Sequence, residues 1–94
     1  MNKTILTIED ESDLRKLLKY NLEAEGYTVI EAPCAEESFL ILTVRKVDLI
    51  ILDWMLPDES GLTVCRRIRR QTKSRDIPII MLTARGEEND RIIG

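Results

Sequence analysis

Asp53 closes a run of four aliphatic residues, Leu49-Ile50-Ile51-Leu52, within the stretch from Asp48 to Pro57. Three further acids, Glu9-Asp10-Glu11, follow the β-rich run Lys3 to Ile8, and Thr83 follows the apolar run Ile77 to Leu82. Carboxylates brought together repel one another unless protons or a cation intervene. A hard divalent ion suits an all-oxygen site, and Mg²⁺ characteristically takes one or two carboxylates together with water and a phosphate. An aspartate with one oxygen on such an ion can offer the other to a phosphoryl group as a nucleophile. A plainer account exists for each acid alone. Asp is an ordinary turn residue, and an acidic triplet favours the positive end of a helix. That account fits Glu11 well but leaves Asp10 and Asp53 unconnected. Zinc and histidine chemistry drop out, because the chain has no His and Cys34 and Cys65 lack CxxC spacing.

These residues need elements to hold them. Four consecutive aliphatics without alternation suit a strand buried on both faces, and a carboxylate at its C-terminal end lies where open α/β sheets bind ligands. Pro57 blocks continuation of that strand, and Ser60-Gly61 supply the start of a helix. Leu14, Leu17, Leu18 and Leu22 form a helical stripe that Ser12 or a neighbouring acid could cap, with Gly26 placed to end the helix. Tyr27 to Ile30 reads as a second strand, Ala35 to about Arg45 as a second helix, and Ile77 to Leu82 as a fourth strand. In the third helix Leu62, Val64, Cys65 and Ile68 face inward while Arg66, Arg67, Arg69 and Arg70 project outward. Glu87 onward begins a fourth helix. Such alternation implies a doubly wound parallel sheet with right-handed crossovers. In the flavodoxin-like order the first and third strands are neighbours, so Asp10 and Asp53 converge with Glu9 beside them and Thr83 on the far side.

The 94 residues are expected to form one small domain, residues 1–94, with no internal repeat or linker. An apolar share of 44% and a charged share of 33% describe a folded rather than a disordered chain, and a net charge of −3 gives no general attraction to nucleic acid or anionic membranes. Without a membrane-length apolar run or a signal-peptide pattern, the chain is expected to be cytoplasmic, with both cysteines as buried free thiols.

The chain resembles the receiver domain of two-component response regulators, of the OmpR/PhoB type. The matching motifs are Ile5 to Glu11, Asp48 to Pro57 and Pro78 to Arg85, with Gly61 where the family begins its third helix. The resemblance implies a CheY-like, flavodoxin-like fold with strand order 2-1-3-4, and Asp53 as acceptor of a phosphoryl group from a sensor histidine kinase. It implies Mg²⁺ held by Asp10, Asp53 and the backbone carbonyl of Met55, with Glu9 in support. Thr83 would be the switch hydroxyl, helped by the backbone N–H groups of Trp54 and Ala84. Kinase contact is expected on the first helix around Arg15, and dimerisation through the fourth-helix face, of which Glu87, Glu88, Asp90 and Arg91 remain, or through an exposed fourth strand. DNA binding would need a winged-helix domain that these residues do not include.

Departures accompany the match. No residue corresponds to the family's fifth strand, its fifth helix or the lysine that pairs with the phosphoaspartate. Ile77 to Leu82 is therefore expected as an apolar edge that favours association, and Ile92 and Ile93 as poorly buried helix residues. Thr7 stands where an aliphatic residue is usual, a small departure that a neighbouring hydroxyl or carbonyl could satisfy. Two rival functions remain at this point. A phosphatase with an aspartyl nucleophile, as in haloacid-dehalogenase-like proteins, wants an acid where Met55 stands. A degenerate interaction module would keep the fold without the chemistry.

Overall fold

A computed structural model describes residues 2–82 and the pair Ile92–Ile93. In chain order the elements are β1 (Thr4–Ile8), α1 (Ser12–Ala24), β2 (Thr28–Ala32), α2 (Ala35–Val44), β3 (Leu49–Asp53), α3 (Gly61–Arg70), β4 (Ile79–Leu82) and β5 (Ile92–Ile93). The sheet order is β2-β1-β3-β4-β5, with the first four strands parallel, as the alternating pattern requires. Pro78 falls just before β4, where its missing N–H costs the ladder nothing.

Right-handed crossovers place α2 and α3 on one face of this sheet and α1 on the other. Leu6, Ile8, Ile50, Leu52, Ile79 and Met81 share the α2/α3 face and form the main core with Ala35, Leu42, Val64 and Ile68. The α1 face is thinner. No α1 residue is fully buried, and Leu17, which the stripe assigns to the core, is 55% exposed. Leu62 is likewise exposed rather than inward, since Val64 and Ile68 already fill the seam of α3. Cys34 and Cys65 are free thiols but only half-buried.

The expected run of helix through Ile92 and Ile93 is corrected. These two residues pair antiparallel with Leu82 and Met81, because adjacent aliphatic, β-branched residues fit a pleated edge better than a helix end. The outer edge of β4 is thus covered at Met81 and Leu82. Residues 83–91, including Glu87, Glu88, Asp90 and Arg91, lie outside the described residues.

Local backbone chemistry sets the joints. Gly26, at φ 97°, ends α1 with paired bonds from Gly26 N–H to Glu23 O and from Tyr27 N–H to Leu22 O. Ser60 caps α3 by accepting from Thr63 N–H at 3.2 Å. The α2 start is capped from a distance. Asp58, in the loop after β3, accepts from Ala35 N–H at 3.0 Å and from Glu36 N–H at 3.1 Å. Those backbone bonds, the Ala35 bond foremost, hold its carboxyl below the usual Asp range. Gly61 lets α3 begin against the end of β3. A Cβ there would lie 2.4 Å from the carbonyl oxygen of Asp53 and 2.9 Å from that of Trp54.

Two outcomes follow. Asp58→Ala removes both acceptors from the α2 start and should cost about 1 kcal/mol at neutral pH, measured by denaturant unfolding. Because folding lowers the Asp58 pKa, that stabilisation is complete above the unfolded value and fades as pH drops through the folded one. The gap between parent and variant should therefore shrink in acid. Gly61→Ala must push backbone rather than a flexible side chain, and should cost about 1–3 kcal/mol in the same assay. An unchanged unfolding midpoint would contradict the close approach.

Candidate phosphoacceptor and cation site

Glu9, Asp10 and Asp53 meet at the C-terminal ends of β1 and β3. One carboxylate oxygen from each lies within 4.8 Å of the others, Glu9 and Asp53 being buried and Asp10 exposed. Parallel pairing of Ile8 with Leu52 sets this approach, because the residues that follow leave neighbouring strands at one level. With Glu11, Leu14, Trp54, Met55, Leu56 and Pro57 these acids line a cleft of about 500 Å³.

The β1–α1 loop is held by its own backbone. Glu9 N–H donates to Ala32 O at 3.0 Å, extending the β1–β2 ladder by one residue. Glu11 N–H donates to Glu9 Oε2 at 3.0 Å, so Glu11 contributes its amide rather than a capping carboxylate, and neither it nor Ser12 caps α1 by a side chain. Glu9 Oε1 is buried with no hydrogen-bond partner among the described residues. Burial, followed by the charges of Asp53, Asp10 and Glu11, raises the Glu9 pKa to about 7 against the partial offset of the Glu11 N–H bond. The folded chain therefore holds a proton there that the unfolded chain has lost, and stability falls as pH rises from the ordinary carboxylate range toward 7. An orphaned buried carboxylate oxygen among converging acids fits a hard cation, so the donor set suits Mg²⁺.

The β3–α3 loop turns sharply after Asp53. Gly61 N–H donates to Trp54 O at 2.6 Å and Leu56 N–H to Glu59 O at 3.2 Å, which makes Met55 and Ser60 a bridge pair that share no hydrogen bond. In such a pair the carbonyl of each residue faces away from the other. The Met55 carbonyl therefore points out of this turn, on a residue that lines the cleft.

One expected donor is engaged elsewhere in the unphosphorylated chain. The Trp54 N–H, expected to meet phosphoryl oxygens, donates to Leu82 O at 3.0 Å, because Leu82 is paired level with Asp53 and the slanted parallel ladder carries its carbonyl to the next amide. Thr83 and Ala84 lie outside the described residues. Thr7 is fully buried, and its hydroxyl finds no partner among the described residues, against the expectation of a nearby group.

Sequence reasoning missed two residues around the site. Asp58 is 23 positions from the helix it caps, a separation that no local pattern reveals. Arg15, expected as an exposed partner contact, has a side chain only 20% exposed and donates to the carbonyls of Glu9 and Asp10. Among the described residues, no helix is long and apolar enough to cross a membrane.

Comparison with known proteins places this geometry. The chain is 46% identical, over all 94 residues, to the phosphate regulon transcriptional regulatory protein PhoB of Pseudomonas aeruginosa, and spans 41% of that protein's length. A response regulator protein from Thermotoga maritima, solved in complex with Mg²⁺–BeF, aligns with a TM-score of 0.80 at 43% identity, over 87% of this chain and 70% of that one. The receiver domain of a sensor histidine kinase from Pseudomonas aeruginosa, solved with a magnesium ion coordinated in its active site cleft, gives a TM-score of 0.85 at 29% identity, over 90% of this chain and 70% of that one. The family model for the response regulator receiver domain matches residues 5–94. With its motifs, its 2-1-3-4 parallel order and its acidic cleft accounted for, this chain belongs to the response regulator receiver domain family, among relatives that are PhoB-like transcriptional regulators of two-component systems.

Proposed function

We propose that this chain takes a phosphoryl group onto Asp53 from a sensor histidine kinase and turns that charge into a conformational signal for an output in the whole protein, with transcription the output suggested by its relatives. The observation that carries the reading is the convergence of Glu9, Asp10 and Asp53 within 4.8 Å, with a buried Glu9 oxygen left without a partner among the described residues.

Asp10, Asp53 and the Met55 carbonyl would hold Mg²⁺, with Glu9 in support. When bound, the ion supplies the positive charge that lets a phosphoryl group approach carboxylates. Asp53 does the bond-making. Its carboxylate oxygen attacks phosphorus, the P–N bond of the donor's phosphohistidine breaks, and the electron pair returns to the imidazole nitrogen. Positioning and charge balance dominate such a transfer, and in this reading the chain promotes only its own modification. The added charge, about −1.5 to −2 by analogy with phosphorylated hydroxyls, then acts on Thr83 and the Ala84 amide beyond β4. The phosphatase alternative lacks an acid at Met55, which is 54% exposed and presents only a thioether.

Asp53→Asn keeps the shape of the side chain and removes the nucleophile. With Mg²⁺ and a small acyl phosphate donor, the parent should gain one phosphoryl group by mass spectrometry and the variant none. Labelling of Asp53→Asn at the parent's rate would move the acceptor elsewhere. Asp10→Ala should weaken Mg²⁺ binding by roughly tenfold or more, the scale set by one lost ligand charge, read from Trp54 fluorescence in the cleft. It should also raise stability in metal-free buffer, because it relieves repulsion. Equal affinity in parent and variant would contradict the assigned ligand set.

A further inference from the structure

Arg15 lies in the first turns of α1, yet its guanidinium turns back over the β1–α1 loop. Nη1 donates to Glu9 O at 2.9 Å and to Asp10 O at 3.3 Å. These two carbonyls belong to the two peptide planes that flank the Asp10 Cα. Pinning both planes fixes the direction in which the Asp10 side chain leaves the backbone. The second plane is also held from its other side, since its N–H is the Glu11 amide that donates to Glu9 Oε2. One guanidinium therefore sets the aim of Asp10, the exposed member of the acidic cluster, and supports the bond that orients Glu9.

Glu31 completes the arrangement. It sits on β2 opposite Thr7, on the α1 face, with Oε2 3.7 Å from Arg15 Nε. That separation is an ion pair rather than a hydrogen bond. It gives the guanidinium a local counter-charge, so Arg15 orders the loop without lending the cation site the full field of an unpaired positive charge.

We infer that Arg15, braced by Glu31, is a positioning residue for the cation site, acting through the Glu9 and Asp10 carbonyls. The inference rests on the Mg²⁺ reading of the cleft and adds to it the device that orders the ligands. Position and charge predict opposite signs. Were Arg15 only a nearby positive charge, Arg15→Met would tighten Mg²⁺ and Arg15→Lys would change nothing. As a positioning group it needs the planar fork, so both substitutions loosen the site.

The test titrates Mg²⁺ against Trp54 fluorescence in the parent, Arg15→Met, Arg15→Lys and Glu31→Gln, with metal-free unfolding midpoints alongside. The expected result is a loss of affinity of roughly tenfold in Arg15→Met, the scale of a lost charge-assisted hydrogen bond, a smaller loss in Arg15→Lys and the smallest in Glu31→Gln. Amide exchange at Glu11 without Mg²⁺ should quicken in the same order. Equal or tighter binding by Arg15→Met, or an Arg15→Lys indistinguishable from the parent, would overturn the inference while leaving the site in place. So would a lowered unfolding midpoint with unchanged affinity, which marks a merely structural role. A parent chain without any Mg²⁺-dependent signal would remove the cation reading and this inference together.

Discussion

Like charges held together at the ends of buried strands are the constraint on which this molecule turns. Glu9 and Asp53 leave adjacent strands at the same level, and the sheet gives them no means of moving apart. Crowded carboxylates in a partly desolvated cleft must bind a proton or a cation. The raised Glu9 pKa is the proton solution, and a divalent ion is the alternative. Occupancy of the cleft is thereby coupled to the same backbone that carries Asp53, the proposed phosphoacceptor.

The surrounding loops serve that tension by fixing backbone. Glu9 is tied to Ala32 through the ladder, Asp53 is followed by a Trp54 amide tied to Leu82, and Gly61 brings the start of α3 against the Asp53 carbonyl. Asp58 links the loop after Asp53 to the first amides of α2. A new charge on Asp53 would therefore press on a frame that involves four strands and two helices. The Trp54–Leu82 bond has a particular consequence. A phosphoryl oxygen can recruit the Trp54 amide only by drawing it from the β3–β4 ladder, which would connect phosphorylation to the end of β4.

Much of this was legible in the chain because the signals were local or periodic. The aliphatic run before Asp53, the glycine after α1 and the serine before α3 each name their own structure, and the motifs around Asp10 and Asp53 announced the site. What escaped depends on partners distant in sequence. The Leu14-Leu17-Leu18-Leu22 stripe identifies a helix but not how deeply each residue sits, and Leu17 stays exposed on the thinly covered α1 face. Arg15 reads as a surface cation until the loop carbonyls beneath it are seen, and Asp58 as a turn residue until α2 arrives. Ile92 and Ile93 carry no helix-breaking signal, and their β-branched preference becomes a strand only where the open edge of β4 offers pairing.

Anomalous diffraction from crystals soaked in Mn²⁺, a heavier stand-in for Mg²⁺, tests the central claim most directly. One strong peak is expected in the cleft, within direct coordination distance of carboxylate oxygens of Asp10 and Asp53 and of the Met55 carbonyl. No peak there, or a peak elsewhere on the acidic surface with the cleft vacant, would contradict it.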